Sequence, residues 1–103
     1  MTGTRVCAKG ELPEGGATRV TLPDGTPVAV FRYDDRYFAL ADTCSHEESS
    51  LSEGIVEDDA VECPKHGALF NLETGKPMTL PATRPVASYV VRIEDDQIYV
   101  ESE

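Results

Sequence analysis

Residues 44–67 read CSHEESSLSEGIVEDDAVECPKHG and contain two short motifs, Cys44-Ser45-His46 and Cys63-Pro64-Lys65-His66. Each motif supplies one sulfur ligand and one imidazole ligand, and residues 47–62 lie between them. Both histidines of the chain and two of its three cysteines fall in these motifs. Thiolate and imidazole are donors that transition metals prefer, so the pattern predicts a metal site formed by two facing loops.

The rest of the chain predicts short strands separated by turns, with no long amphipathic helix. The expected strands are 5–8, 17–22, 27–33, 36–41, 55–57, 60–62, 68–71, 86–94 and 97–101. In the longest of them, 86–94, apolar side chains at every second position predict one buried face, formed by Ala87, Tyr89, Val91 and Ile93. Three prolines exclude a central strand over 77–85.

The pattern predicts an all-β fold, an antiparallel β-sandwich or small barrel. The 103 residues are enough for one domain. We expect a basal β-domain, formed by residues 1–41 and 82–103, with an inserted metal-binding subdomain at 42–81. This subdomain carries both ligand motifs.

The charge balance excludes some partners. Nineteen acidic residues against nine basic residues give a net charge of −10, which argues against nucleic acid and against an anionic membrane surface. We find no signal-peptide pattern in residues 1–13 and no stretch that could span a membrane, so a cytoplasmic location is expected. Cys7 lies in an apolar strand pattern and is expected to be a buried structural thiol.

Two kinds of metal site fit the ligands. A structural zinc site also uses Cys2His2, but zinc fingers usually pair cysteine with cysteine and histidine with histidine. Here each loop carries one of each. If the loops face each other, both cysteines can meet at one iron and both histidines at another.

The pattern Cys-x-His, sixteen residues, Cys-x-x-His closely resembles the Rieske family, which carries a [2Fe–2S] cluster. Residues 63–67 match the second ligand loop of that family, and Leu80-Pro81 is similar to its third, proline-containing loop. The resemblance implies one cluster, with Cys44 and Cys63 on the buried iron and His46 and His66 on the outer iron. It also implies that Gly67 keeps the second loop thin and that Pro81 shields the cluster from water.

Several residues indicate a low reduction potential within this family. Ser49 and Lys65 stand where high-potential members carry a disulfide. Ala68 and Phe70 lack the hydroxyl groups that donate hydrogen bonds to sulfur in those members, and such donors stabilise the extra electron. Residues 47–62 contain seven acids and no base. We therefore expect a potential near the low end of the range of roughly −150 to +300 mV that Rieske centres span.

A low-potential, single-domain member resembles the ferredoxin component of bacterial aromatic ring-hydroxylating dioxygenases, which serve aromatic hydrocarbon catabolism. The resemblance implies an electron carrier between an NADH-dependent flavoprotein reductase and a terminal oxygenase. With both histidines used as ligands, no 2-His-1-carboxylate iron site remains, so no catalytic residue and no catalysis by the chain alone are expected. Glu47 and Glu48, beside a ligand, are candidates for docking a basic partner. The alternatives are the small Rieske-type subunit of an assimilatory nitrite reductase and a zinc-binding interaction module.

Overall fold

A computed structural model of the protein describes residues 2–42, 50–63, 69–78 and 86–102. The strands in these ranges are β1 Thr2–Ala8, β2 Ala17–Thr21, β3 Pro27–Tyr33, β4 Arg36–Ala41, β5 Ile55–Glu57, β6 Ala60–Glu62, β7 Leu69–Asn71, β8 Ser88–Glu94 and β9 Gln97–Ser102. Two short 3-10 helices cover Lys9–Glu11 and Leu51–Glu53. No helix in the described ranges has the length and apolar character needed to cross a membrane.

The strand bounds agree with the sequence pattern where hairpins are local. Strands β3 to β6 begin and end at the expected residues. Strand β1 begins three residues earlier than expected because it pairs with β9 along its whole length. Strand β8 begins at Ser88 and has seven residues, as β1 and β3 do, so the prediction that it is the longest strand is wrong.

Six strands form a single antiparallel sheet in the order β1-β9-β8-β4-β3-β2. One side chain cluster receives apolar residues from all six strands, which a flat sheet could not achieve, so the sheet curls into a nearly closed barrel. Ile98 and Val100 of β9 are fully buried there, as the sequence predicts. Along β8 the predicted face is confirmed only in its middle, since Tyr89 and Val91 pack against the cluster while Ala87 and Ile93 are exposed.

Strand β3 contributes side chains to two cores, one inside the barrel and a second on the outer side of the barrel. Val28 and Val30 point into the barrel, whereas Ala29 and Phe31 point to the opposite face and pack in a different cluster. Four consecutive residues of one strand are therefore buried, because side chains alternate between two covered faces.

A three-stranded antiparallel sheet, in the order β5-β6-β7, covers the outer face of β3. Val61 of β6 and Phe70 of β7 lie opposite each other and are fully buried against Phe31 and Leu40. Pro77 forms an isolated bridge with Phe70 at the edge of this sheet. An edge is where a strand tolerates proline, in agreement with the sequence.

Each of three hairpins turns at an Asp-Asp pair. Asp34-Asp35, Asp58-Asp59 and Asp95-Asp96 all have positive φ angles, and they are the non-glycine residues with positive φ in the described ranges. Two central residues with positive φ define the type I′ turn, which suits the twist of a hairpin. Aspartate tolerates this conformation better than most residues, but Asn-Gly is the preferred pair.

Replacing Asp95-Asp96 with Asn-Gly is expected to raise the free energy of unfolding by about 1 kcal/mol, because glycine adopts positive φ without strain. This turn is chosen because the same replacement in the other two would remove the ion pairs that Asp35 and Asp59 form with Arg32 and Arg36. Urea denaturation checks the change. Asp24→Gly is the control and should be destabilising, because Asp24 accepts a hydrogen bond from the Thr26 N–H at 2.9 Å.

Candidate metal centre

Cys63 is the predicted ligand that lies within the described residues. It follows directly after β6, and its side chain is fully buried. Val61 and Cys63 are two residues apart, and both belong to the core beneath the small sheet, together with Leu51 and Phe70. The local cause is the β5–β6 hairpin, whose pleat turns both side chains toward the barrel.

The surroundings of Cys63 fit a metal–sulfur bond. Apolar surroundings disfavour a thiolate, whereas metal coordination deprotonates a thiol outright. A cysteine at this position is thus suited to hold the buried iron of a two-iron cluster. Phe70, fully buried in the same core, excludes water and carries no hydroxyl group, as the sequence predicts.

The remaining predicted site residues lie outside the described residues. They are Cys44, His46, Glu47, Glu48, Ser49, Lys65, His66, Gly67, Ala68 and Pro81. What the structure does place is the two ends of each segment that carries them: 42 and 50, 63 and 69, 78 and 86.

Hydrogen bonds hold these ends in one region of the fold. The Leu51 N–H donates to the Asp42 carbonyl oxygen at 2.6 Å. The Met78 N–H donates to the Leu69 carbonyl oxygen at 2.7 Å, and Leu69 pairs with Glu62, the residue before Cys63. Leu51, Cys63 and Val86 share one core cluster. The structure therefore brings the bases of the two ligand loops and of the proline-containing loop together around one core.

Two glycines permit close approaches near this region. A Cβ atom on Gly54 would overlap the carbonyl oxygen of Glu62, and one on Gly75 would overlap the carbonyl oxygen of Val86. Gly75 also has a φ of 78°. Its carbonyl oxygen accepts a hydrogen bond from the Val86 N–H at 2.9 Å, which ties the end of residues 79–85 to the small sheet.

Asp42, two residues before the predicted ligand Cys44, was not singled out by the sequence reasoning. It is the buried charged residue of the described ranges, with 2% of its surface exposed. Its carboxylate accepts hydrogen bonds from the Ser50 hydroxyl at 2.5 Å and from the Ser52 N–H at 2.9 Å, and Arg19 Nε lies 3.5 Å away. A carboxylate two residues before Cys44, at the end of an apolar strand, was the available signal.

Cys7 lies apart from this region, in the barrel. It is half-buried, and burial, with a smaller effect of Glu11, raises the pKa of its thiol. A raised pKa keeps the thiol protonated and unreactive at neutral pH, which agrees with a structural role. The described part of the chain contains no group of three or more metal-binding side chains, and three of the four predicted ligands lie outside it.

Comparison with known protein families decides the kind of centre. A family model described as the Rieske [2Fe-2S] domain matches residues 2–90. The chain belongs to the Rieske family. One [2Fe–2S] cluster is therefore its cofactor, and the prediction of this cluster rather than zinc is confirmed. The assignment of the four individual ligands remains a prediction, and the burial of Cys63 agrees with it.

Individual Rieske proteins are similar to the chain over nearly its whole length. The 3-phenylpropionate/cinnamic acid dioxygenase ferredoxin subunit of Photorhabdus laumondii is 50% identical over 97% of this chain and 94% of its own. A ferredoxin solved in a complex with the reduced oxygenase of carbazole 1,9a-dioxygenase is 39% identical, with a TM-score of 0.92 over 98% of this chain and 94% of that chain. The putative NADH-dependent nitrite reductase small subunit of Mycobacterium tuberculosis is 29% identical, with a TM-score of 0.91 over 99% and 96%.

These similarities confirm the predicted antiparallel fold and the resemblance to the ferredoxins of aromatic dioxygenases. The chain is a Rieske ferredoxin, an electron-transfer protein rather than a catalytic enzyme.

Proposed function

We propose that this Rieske protein carries single electrons from an NADH-dependent flavoprotein reductase to the terminal oxygenase of an aromatic ring-hydroxylating dioxygenase, in the cytoplasm. Its similarity to dioxygenase ferredoxin subunits over nearly the whole chain is the observation that carries the proposal. The fold agrees with a carrier. The described part contains an apolar core around Cys63. It also has a shallow polar depression of about 120 Å³ beside Arg36 and Asp59.

We assign the ligands as the sequence predicts. Cys44 and Cys63 hold the inner iron, and His46 and His66 hold the outer iron. The cluster supplies a one-electron couple when bound. The chain's own contribution is a dry, apolar support for Cys63, formed by Val61, Phe70 and neighbouring core residues. Residues 42–81 form the metal-binding subdomain and the flanking segments form the basal domain, a division supported by the two separate sheets.

A row of outward-facing residues on the small sheet supplies a docking surface. Strand pairing places Ile55 beside Glu62, Glu62 beside Leu69, and Leu69 beside Met78. Ile55 is 66% exposed and Met78 is 53% exposed. Glu62, in the middle of the row, directly precedes Cys63 in the sequence. Apolar side chains with an acidic neighbour, Glu62, suit transient binding of a basic partner. Glu47 and Glu48 remain the docking candidates that the sequence predicts.

Ile55→Lys is expected to slow electron transfer to the oxygenase about tenfold at subsaturating concentration, since it removes an apolar contact and opposes a basic partner. Stopped-flow reduction of the oxygenase measures the rate. Val90→Lys is the matched control, because Val90 is 65% exposed on the barrel strand β8 and should leave the rate unchanged. Equal rates for Ile55→Lys and Val90→Lys would show that the row is not part of the docking surface.

Reconstitution tests the carrier function itself. Purified protein, a flavoprotein reductase, NADH and the terminal oxygenase of the same organism should convert an aromatic substrate to its dihydrodiol, and omission of this protein should stop turnover. Turnover that is independent of the protein would refute the proposal.

Association with a nitrite reductase is the second candidate, favoured by the similarity to a putative nitrite reductase small subunit. The lower identity to that protein places it second. A stable complex with a nitrite reductase large subunit, together with no electron delivery to the oxygenase, would reverse the order.

A further inference from the structure

The buried carboxylate of Asp42 joins three parts of the fold: strand β2, the end of β4 and residues 50–52. Asp42 follows directly after β4 and is the last described residue before 43–49. Ser50 is the first described residue after them. Both sides of residues 43–49 therefore meet at this one residue. Arg19, from the neighbouring barrel strand β2, approaches the same carboxylate oxygen that the Ser50 hydroxyl contacts.

The backbone of Asp42 adds to this arrangement. Its N–H donates to the Pro27 carbonyl oxygen at 3.0 Å, and its carbonyl oxygen accepts from the Leu51 N–H. The residue is thus anchored to β3 on one side and to the far end of the loop on the other. Neither contact needs a charged side chain.

The charge of the side chain therefore needs a separate explanation. A buried carboxylate is costly unless donors surround it, and here a hydroxyl, a backbone N–H and a guanidinium do so. An asparagine of the same size could accept the Ser52 N–H bond but would bring no negative charge. Asp42 lies two residues before Cys44 in the sequence. Water screens a buried charge less than a surface charge, so the charge of Asp42 acts more strongly on its surroundings.

We propose that Asp42 is a positioning residue of the Rieske centre, which orients the first ligand loop and lowers the reduction potential of the cluster through its buried negative charge. Arg19 partly neutralises that charge and acts in the opposite direction. The inference rests on the proposed ligand set, in which Cys44 and His46 bind iron. It needs no particular electron-transfer partner.

The test compares four holoproteins: wild type, Asp42→Asn, Arg19→Gln and Asp24→Asn. Asp24 is an exposed turn carboxylate, so its variant removes the same charge without touching the loop. Direct electrochemistry gives the midpoint potential, and electron paramagnetic resonance of the reduced protein gives the g values. Cluster loss in the presence of an iron chelator is followed by visible absorption.

For Asp42→Asn we expect a positive shift of the midpoint potential and altered g values. Cluster loss should be about tenfold faster, the low end of the effect that removal of a residue supporting a metal site commonly has. For Arg19→Gln we expect a smaller negative shift, since Arg19 is 58% exposed and water screens its charge. Asp24→Asn should match wild type in all three measurements.

Faster cluster loss from Asp42→Asn with wild-type potential and g values would mean that Asp42 only stabilises the fold, which would overturn the proposal. If Asp42→Asn takes up no cluster, Arg19→Gln decides: a negative shift supports the proposal and an unchanged potential refutes it. These measurements involve neither reductase nor oxygenase. A wild-type protein without a Rieske spectrum would refute the ligand set instead.

Discussion

Cys63→Ala is expected to abolish assembly of the [2Fe–2S] cluster and with it all electron transfer. Cys63 is the fully buried cysteine at the end of β6, and its loss leaves the inner iron one protein ligand short. The variant should be colourless after purification and should contain almost no iron or acid-labile sulfide. Visible absorption and metal analysis measure both.

Cys7→Ser provides the control, since it also removes a thiol from the apolar interior of the chain. Cys7 packs in the barrel rather than in the core beneath the small sheet. This variant should keep the wild-type spectrum and iron content, with only a modest loss of stability. A coloured Cys63→Ala protein with two irons per chain would show that Cys63 is not a ligand.

Gly54→Ala is expected to have the second largest effect, because it moves the strand that presents Cys63. The added methyl group would overlap the Glu62 carbonyl oxygen and crowd the Val61 side chain. Backbone cannot yield as a flexible side chain can, so β6 must shift. We expect a loss of about 3 kcal/mol in the free energy of unfolding, the upper part of the usual range for overpacking. Cluster content should fall as well.

Gly10→Ala tests whether this effect is specific. Its added methyl group would meet no atom within 4 Å, and Gly10 is not among the glycines with positive φ. Both variants should be examined by urea denaturation of the holoprotein and by iron analysis. Wild-type stability of Gly54→Ala would contradict the close packing of β5 and β6 at this point.

The local elements of the fold followed from the sequence because their causes are local. Each Asp-Asp pair lies between two apolar strands, and each forms a tight hairpin turn. The strands on either side of Asp34-Asp35 and Asp58-Asp59 have the expected bounds. The larger errors appeared where a strand depends on a distant partner, as β1 does on β9 and as the beginning of β8 does on β4. Strands β2 and β9 each end one residue away from the expected position.

The candidate site divides in the same way. The four ligands, Cys44, His46, Cys63 and His66, could be proposed from residue type and spacing, since few cofactors use cysteine and histidine in alternating pairs. Asp42 was not proposed, because its one sequence signal, a carboxylate two residues before Cys44, is too common to indicate a role. Its role depends on Arg19 and Ser50, which the chain brings to it only after folding.

The sequence by itself determined the all-β architecture and the residues that could bind a metal, because strand periodicity and ligand chemistry follow from residue types and their spacing. It also predicted the kind of cofactor through the resemblance that the two Cys/His motifs carry, and the family match confirmed it. The tertiary structure decided how the sheet closes into a barrel, which side chains surround Cys63 and where the ends of the first ligand loop are tied. These depend on packing between residues far apart in the chain, where shape and distance matter more than residue type. The buried charge of Asp42 is the clearest example.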